Sequence, residues 1–427
     1  MMRALLLLAT WLASVATATA QPVSEPESTP AELTDAELEQ LGFNAAEPAV
    51  DYDIKLSGFI DFGGTAAVGQ SQGLLSKPAF SIGNLNLYVS KNLSESVRTM
   101  VEVRFLYLPN GAPTSLMDRS YISTAVPDYN DFQRELRWGG VEIERVYVEW
   151  AVHRLLTIRL GQFLTPYGVW NVDHGTPTII PIQRPFVIGY SFFPERQTGI
   201  ELHGRWGITN NGTLGYHLTL SNGTGPISEY ADLDKNKAVG GRLYWEYRKW
   251  GELKLGGSFY YGRYTSSSPL AMITDGTLKT SDKLLSQWDS LAFAVDAVFK
   301  YQGAVVQAEF AVQQLAFTPE GRTARFSLST SKNSYPADGV PYGGYLLLGY
   351  RFDWFGVMPY VVFQRVGGAD PSFQSRDEST PFVIGVNVRP IESLVAKLEY
   401  QRVFFDSAQS FPGYDIQLVA AQVAWAF

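Results

Sequence analysis

Arg98, Arg104, Arg145, Arg159, Arg205, Arg242, Arg248 and Arg351 fall within segments that alternate apolar and polar residues, each on the polar parity of its segment. A guanidinium presents a planar fork of donors that grips carboxylate or phosphate oxygens in pairs, so a row of them on one face could hand an anion from site to site. Glu102, Glu149, Glu201 and Glu246 share that face, and a row of solvated ion pairs is therefore the competing reading. The same parity adds Lys55, Asp61, His203, Lys254, Asp296, Glu309, Asp353, Lys397 and Glu399, leaving a modest basic excess.

A second group lies in one long connection, residues 163–196, where Tyr167, Trp170, Asn171, Asp173, His174, Arg184 and Arg196 stand among several prolines. A connection this long and this rich in proline and aromatics is expected to be ordered and functional. Folded into a pore, it would set the narrowest section. Left outside, it would cap the structure or touch neighbouring subunits. His203, His217 and Glu201 could together hold a metal, but polar wall positions explain both histidines as well. No serine has a histidine and acid partner marked by sequence context. The expectation is no catalysed reaction, no metal and no cofactor.

These side chains need a wall with two unlike faces. Gln197-Thr198-Gly199-Ile200-Glu201-Leu202-His203-Gly204-Arg205-Trp206 shows the pattern: Ile200, Leu202 and Trp206 point one way, and Glu201, His203 and Arg205 the other. Period-2 alternation of this kind marks strands with one face in lipid and one in a polar interior. A charge at the lipid midplane costs ~2–4 kcal/mol, so the charged parity must face inward. Sixteen such segments follow from Tyr52 to Phe427, an even number as bacterial barrels require. Short turns, as at 152–153, 250–251 and 354–355, alternate with long stretches at 107–140, 163–196, 265–286 and 317–342. Trp150, Trp206, Trp250, Trp354 and Trp425 all fall at the short-turn ends, where amphipathic rings would meet the membrane interface.

The 427 residues include 39 glycines, 14% aromatics and 18% charged residues, fewer charges than an ordinary soluble domain carries. Residues 1–20 read as an export signal: a basic start at Arg3, the run Leu5-Leu6-Leu7-Leu8, and Ala18-Thr19-Ala20 for cleavage. Residues 21–50 form a Pro- and Glu-rich arm with one short helical signature at Thr29-Pro30-Ala31-Glu32. Residues 51–427 are the barrel. No later run reaches the ~20 apolar residues of a spanning helix, and without helices only a closed barrel pairs every backbone group within a bilayer. The chain has no cysteine, which removes disulfides, thiolate metal sites and a lipid-anchor cysteine. The formal charge of −8 gives no reason to expect a nucleic-acid partner.

The run Gly161-Gln162-Phe163-Leu164-Thr165-Pro166-Tyr167-Gly168 resembles the phosphate-selective porins of the O and P type, as does the layout of sixteen strands, export signal and terminal Phe427. The similarity is strongest over 140–206. It implies a homotrimer with three separate pores, a third loop folded inward, and arginine and lysine side chains leading anions to a constriction. The sequence departs from a dense basic constriction: its third loop offers Arg184 and Arg196 but also Asp173 and Glu195, with no lysine.

The resulting expectation is an all-β, transmembrane antiparallel barrel of about 16 strands with a short N-terminal periplasmic arm. It would lie in the outer membrane among lipids, delivered by the barrel-assembly machinery that reads a C-terminal aromatic strand. Small hydrophilic solutes would cross it passively, anions ahead of cations. A substrate-specific channel for small organic acids or sugars, and a scaffold that recruits a partner through residues 21–50, are the alternatives.

Overall fold

The computed structural model describes residues 52–69, 79–107, 138–172, 175–185, 192–224, 235–274, 277–328, 337–368, 378–405 and 415–427. The export signal and the 21–50 arm lie outside the described residues.

Alternation becomes a sheet of β1 (Lys55–Ala67), β2 (Ala79–Asn92), β3 (Val97–Tyr107), β4 (Trp138–His153), β5 (Leu156–Leu164), β6 (Arg196–Thr209), β7 (Gly212–Ser221) and β8 (Ala238–Tyr247). It continues through β9 (Glu252–Thr274), β10 (Thr277–Tyr301), β11 (Ala304–Phe317), β12 (Tyr342–Tyr350), β13 (Val357–Gly367), β14 (Ser379–Ile391), β15 (Leu394–Phe405) and β16 (Ile416–Ala426). Each strand pairs with its sequence neighbours, and β1 pairs antiparallel with β16 to close the barrel. Closure leaves no strand edge, which is what a sheet in hydrocarbon needs. Phe427 completes the seam by exchanging backbone hydrogen bonds of 2.9 Å with Gly58.

The outward parity carries Leu160, Ile200, Leu243, Phe293, Val295, Phe363 and Leu398, all exposed, as a lipid-facing band requires. Tight turns join β4 to β5, β6 to β7, β10 to β11 and β14 to β15 at one end. The five tryptophans at that end expose between 40% and 72% of their surface, consistent with rings in an interfacial belt.

Two stretches expected to be loops are structured. Residues 265–286 largely prolong β9 and β10, which reach 23 and 25 residues. Tyr264-Thr265-Ser266-Ser267-Ser268 lacks apolar alternation. A ladder extending beyond lipid has no apolar face to keep, so the period-2 signal ends before the strand does. Within 317–342, α1 (Pro319–Leu328) forms instead. Thr318 caps it, accepting a hydrogen bond on Oγ1 from the Gly321 amide (3.0 Å), with Pro319 and Glu320 in the first turn. Its ten residues are too few to show apolar periodicity, so the stretch read as a loop.

Candidate functional site

Inside the barrel, the β5–β6 connection turns inward and crosses the bore. Its anchors lie on four separate strands of the wall. The Tyr167 hydroxyl lies 2.5 Å from Thr219 Oγ1 on β7, and the Val169 amide donates to Glu309 Oε2 on β11 (3.2 Å). Thr176 Oγ1 then donates to Asp61 on β1 (3.0 Å), and the Ile182 amide donates to Glu399 Oε1 on β15 (2.6 Å). Gly168 permits this path: its φ is +70°, and a Cβ there would meet Glu309 Oε1 at 2.0 Å.

Lys397 on β15 makes the strongest clasp. Its Nζ donates to the carbonyls of Thr176 (2.7 Å), Ile179 (2.7 Å) and Pro181 (3.1 Å). An ammonium has three donors, and all three are used on one turn of the loop. Asn387 on β14 adds a bond to the Ile180 carbonyl (3.1 Å), and Arg389 reaches the carbonyl of Pro177. Beneath these bonds, Trp170, Ile179, Ile180 and Phe192 of the loop pack against inward-facing Leu347, Met358, Tyr360, Val362 and Val383. Trp170 meets Tyr345 edge-on at 6.3 Å. The polar anchors aim the loop, and the apolar contact holds it to the β10–β14 wall.

The wall formed by β3–β6 and β8 is different in kind. Arg145 bonds Glu102 (2.5 Å), and Arg98 bonds Glu149 (2.6 Å). Arg159 bridges Glu149 (2.7 Å) and Glu201 (2.6 Å), while Arg242 bonds Asp296 (2.5 Å). In each pair the carboxylate is the more deeply buried partner, with side-chain exposures of 0–6% against 5–17% for the guanidiniums. The wall therefore shows cation to the bore with acid behind it. Aromatic rings back several of these groups: Arg159 stands over Tyr147 at 4.6 Å, and Lys254 over Tyr244 at 4.5 Å.

Glu144, fully buried, was not among the residues singled out from sequence. It binds Arg104 (3.1 Å) and Arg196. Its inward placement comes from a β-bulge. Glu102 pairs with Arg145 and Val103 with Ile143, which leaves Glu144 as the extra residue. The bulge shifts the phase of β4, so Glu144 and Arg145 both face inward although they are adjacent. Gln162 steadies it from the outer face, donating from Nε2 to the carbonyls of Ile143 (2.5 Å) and Glu144 (3.3 Å). Gly161, at φ +134°, lies where a Cβ would strike the Val146 carbonyl at 2.2 Å. The Gly161-Gln162-Phe163 run is thus the brace of the bulge. The polar–polar step Glu144-Arg145 was the available signal, since an unbroken alternation never places two charges side by side.

Of the other residues expected to act, Arg205 donates to the Tyr244 hydroxyl (3.0 Å) within the bore. Arg248 lies beyond β8, its side chain 57% exposed and 3.7 Å from Glu246. Arg351 lies just past β12, with Nη2 3.8 Å from Met358 Sδ, and Asp353 is exposed on the following turn. Asn171 does not reach into open lumen; it ties the loop to itself through the carbonyls of Thr165 (2.8 Å) and Glu195 (3.1 Å). Tyr167 is likewise buried against the wall, and burial raises its hydroxyl above the ordinary phenol range, so it acts as a neutral donor or acceptor. Arg184 pairs with Glu195 (2.5 Å), and Arg196 begins β6 instead of belonging to the loop. Asp173 and His174 lie outside the described residues. His203 and His217 stand opposite each other with rings stacked at 5.5 Å, but His217 is committed to Glu201 through Nδ1 (2.7 Å). Among the described residues no group of three or more His, Cys, Asp or Glu side chains is arranged to hold a metal ion.

No family model and no curated relative matches the sequence. Solved structures resemble it in fold. The outer membrane protein OmpT of Vibrio cholerae superposes with a TM-score of 0.52 at 11% identity, covering 88% of this chain and 97% of its own. OmpF of Salmonella typhi, in complex with daunomycin, gives 0.51 at 12% identity over 88% and 97%. An anion-selective porin from Comamonas acidovorans gives 0.50 at 11% identity over 88% and 99%.

Proposed function

We propose that the chain is an outer-membrane porin, a passive channel for small hydrophilic solutes that favours anions. One observation carries the reading: an inward loop narrows a closed barrel and leaves a bore whose wall presents guanidiniums in front of buried carboxylates. The loop sets the width, and the cationic skin sets the sign. Each guanidinium has five donors, so one engaged by a carboxylate still offers N–H groups to a passing anion. Solutes would move from one arginine to the next without a catalysed step. The fold shared with outer-membrane proteins and with a porin named as anion-selective supports the assignment.

On this reading the short-turn end faces the periplasm, residues 1–20 direct export, and the aromatic C-terminus is read by the assembly machinery. A homotrimer accords with the trimer form described for the Vibrio protein. The preference extends to anions in general, phosphate among them, and its cations are the arginines of the wall, since Lys397 directs its donors at loop carbonyls.

Reconstituting the full chain in a planar bilayer and measuring conductance steps and reversal potential across a potassium chloride gradient tests both parts. Discrete steps with chloride more permeant than potassium are expected. Cation selectivity would remove the anion preference, and the absence of steps would remove the channel.

A further inference from the structure

We propose that the bore favours amphipathic organic anions, a carboxylate carried on an apolar or aromatic body, over small hydrophilic anions of the same charge. The inference rests on the channel reading and adds a solute class to it.

The space beside the loop, about 1330 Å³ with its open mouths, has two unlike sides. Arg145, Arg159, Arg205 and Arg242 line one. The loop lines the other with Pro166, Val169, Trp170, Val172, Ile179 and Ile180, an apolar surface facing the cations. Among the described residues this loop surface carries no charge and no side-chain amide, and Thr178 adds its one hydroxyl. A hydrated chloride or acetate gains nothing from that side, because contact with it only strips water. An anion with an apolar body can place its carboxylate on the guanidiniums and its body on the loop at once, removing apolar surface from water on both partners. A sugar, needing donors and acceptors all round, would find them on one side alone.

Arg242 supplies an independent indication of where the carboxylate goes. Its Nη2 is bound to Asp296, but its buried Nε has no partner among the described residues. A buried donor without an acceptor is costly and unusual, and an arriving carboxylate that draws the Arg242 side chain toward the bore would satisfy it.

The test is block of the chloride current through the full-length chain in a planar bilayer by benzoate, acetate and benzylamine added at equal concentrations. Benzoate should half-block at a concentration roughly tenfold below acetate, with benzylamine ineffective over that range. V172T, alone and with V169T, polarises the partly exposed loop surface at constant shape; each should shrink the benzoate–acetate difference when block is scaled to the variant's own chloride current. Equal block by benzoate and acetate in a conducting channel overturns this inference and leaves the channel reading standing. Equal block by benzylamine also overturns it, since the cationic side would then have no part. A chain that carries no chloride current overturns both.

Discussion

The two sides of the lumen are built on the same strand geometry and hold their contents by opposite means. Along β3–β6 and β8, many inward positions are charged, the acids are matched to cations, with Arg242 reaching across to Asp296 on β10, and the cations keep some exposure to the bore. Along β10–β14, inward positions are largely apolar and are covered by the loop. The difference teaches how a barrel interior can be both filled and open. An apolar wall in a water-filled bore would be a standing cost, and the loop removes it by covering it. A charged wall needs no cover, only internal pairing. Lys397, Glu399, Asn387 and Arg389 mark the border, where polar groups of β14 and β15 serve the loop and not the solute.

The most severe way to break this division is K397M. It strips three loop carbonyls of their shared donor in a place water reaches poorly, a loss of roughly 3–5 kcal/mol by analogy with removing one partner of a buried charged network. The loop should loosen, and single-channel conductance should become larger and noisier, with faster proteolysis within 165–195. A conductance identical to the parent would show that apolar packing alone holds the loop.

On the open side, R159Q leaves Glu149 and Glu201 buried without their shared cation. Anion-to-cation permeability should fall by roughly fivefold, the factor that about 1 kcal/mol of ion–charge interaction represents. Reversal potentials in a salt gradient report it directly. An unchanged potential would mean that the arginines are only structural partners of the acids and that the bore's sign comes from elsewhere.

What the sequence disclosed follows the same border. The barrel and its charged wall were legible because alternation is local: Glu201, His203 and Arg205 declare their side within a few residues. The loop's anchors were not, because Lys397 and Thr176 lie 221 positions apart and nothing in either neighbourhood names the other. Parity placed Lys397 in the lumen but could not say that its target was backbone. Tyr167, Trp170 and Asn171 were marked by composition as belonging to an ordered loop, yet composition could not tell a side chain that lines a channel from one that packs the loop down. Glu144 was hidden by the bulge, which moves β4 out of the phase that parity carries along a strand and which Gln162 braces from β5.

That brace supplies a smaller test. Q162L keeps the side chain on the outer face and removes its amide, leaving the Ile143 and Glu144 carbonyls without their donor. A loss of about 1–3 kcal/mol is expected, the cost of an unsatisfied polar group away from water, visible as a lower urea midpoint for the detergent-folded barrel. Selectivity should shift only as far as Glu144 releases Arg104 and Arg196.

Arg184 should matter least, although its sequence position in the loop gave it equal standing with the others. Its ion pair with Glu195 leaves both side chains about one-third exposed, at 30% and 32%. Water screens such a pair, and holding two long side chains in one geometry costs entropy, so it contributes ~0–1 kcal/mol. Nor does Arg184 line the space into which Arg145, Arg159, Arg205 and Arg242 project. R184A is therefore expected to move the urea midpoint and the reversal potential by no more than the scatter between preparations, under the same salt gradient that exposes R159Q. If R184A shifted selectivity as far as R159Q does, the controlling charge would belong to the loop and not to the strand wall, and the division of the lumen into a closed apolar side and an open cationic side would no longer describe how this barrel chooses what it passes.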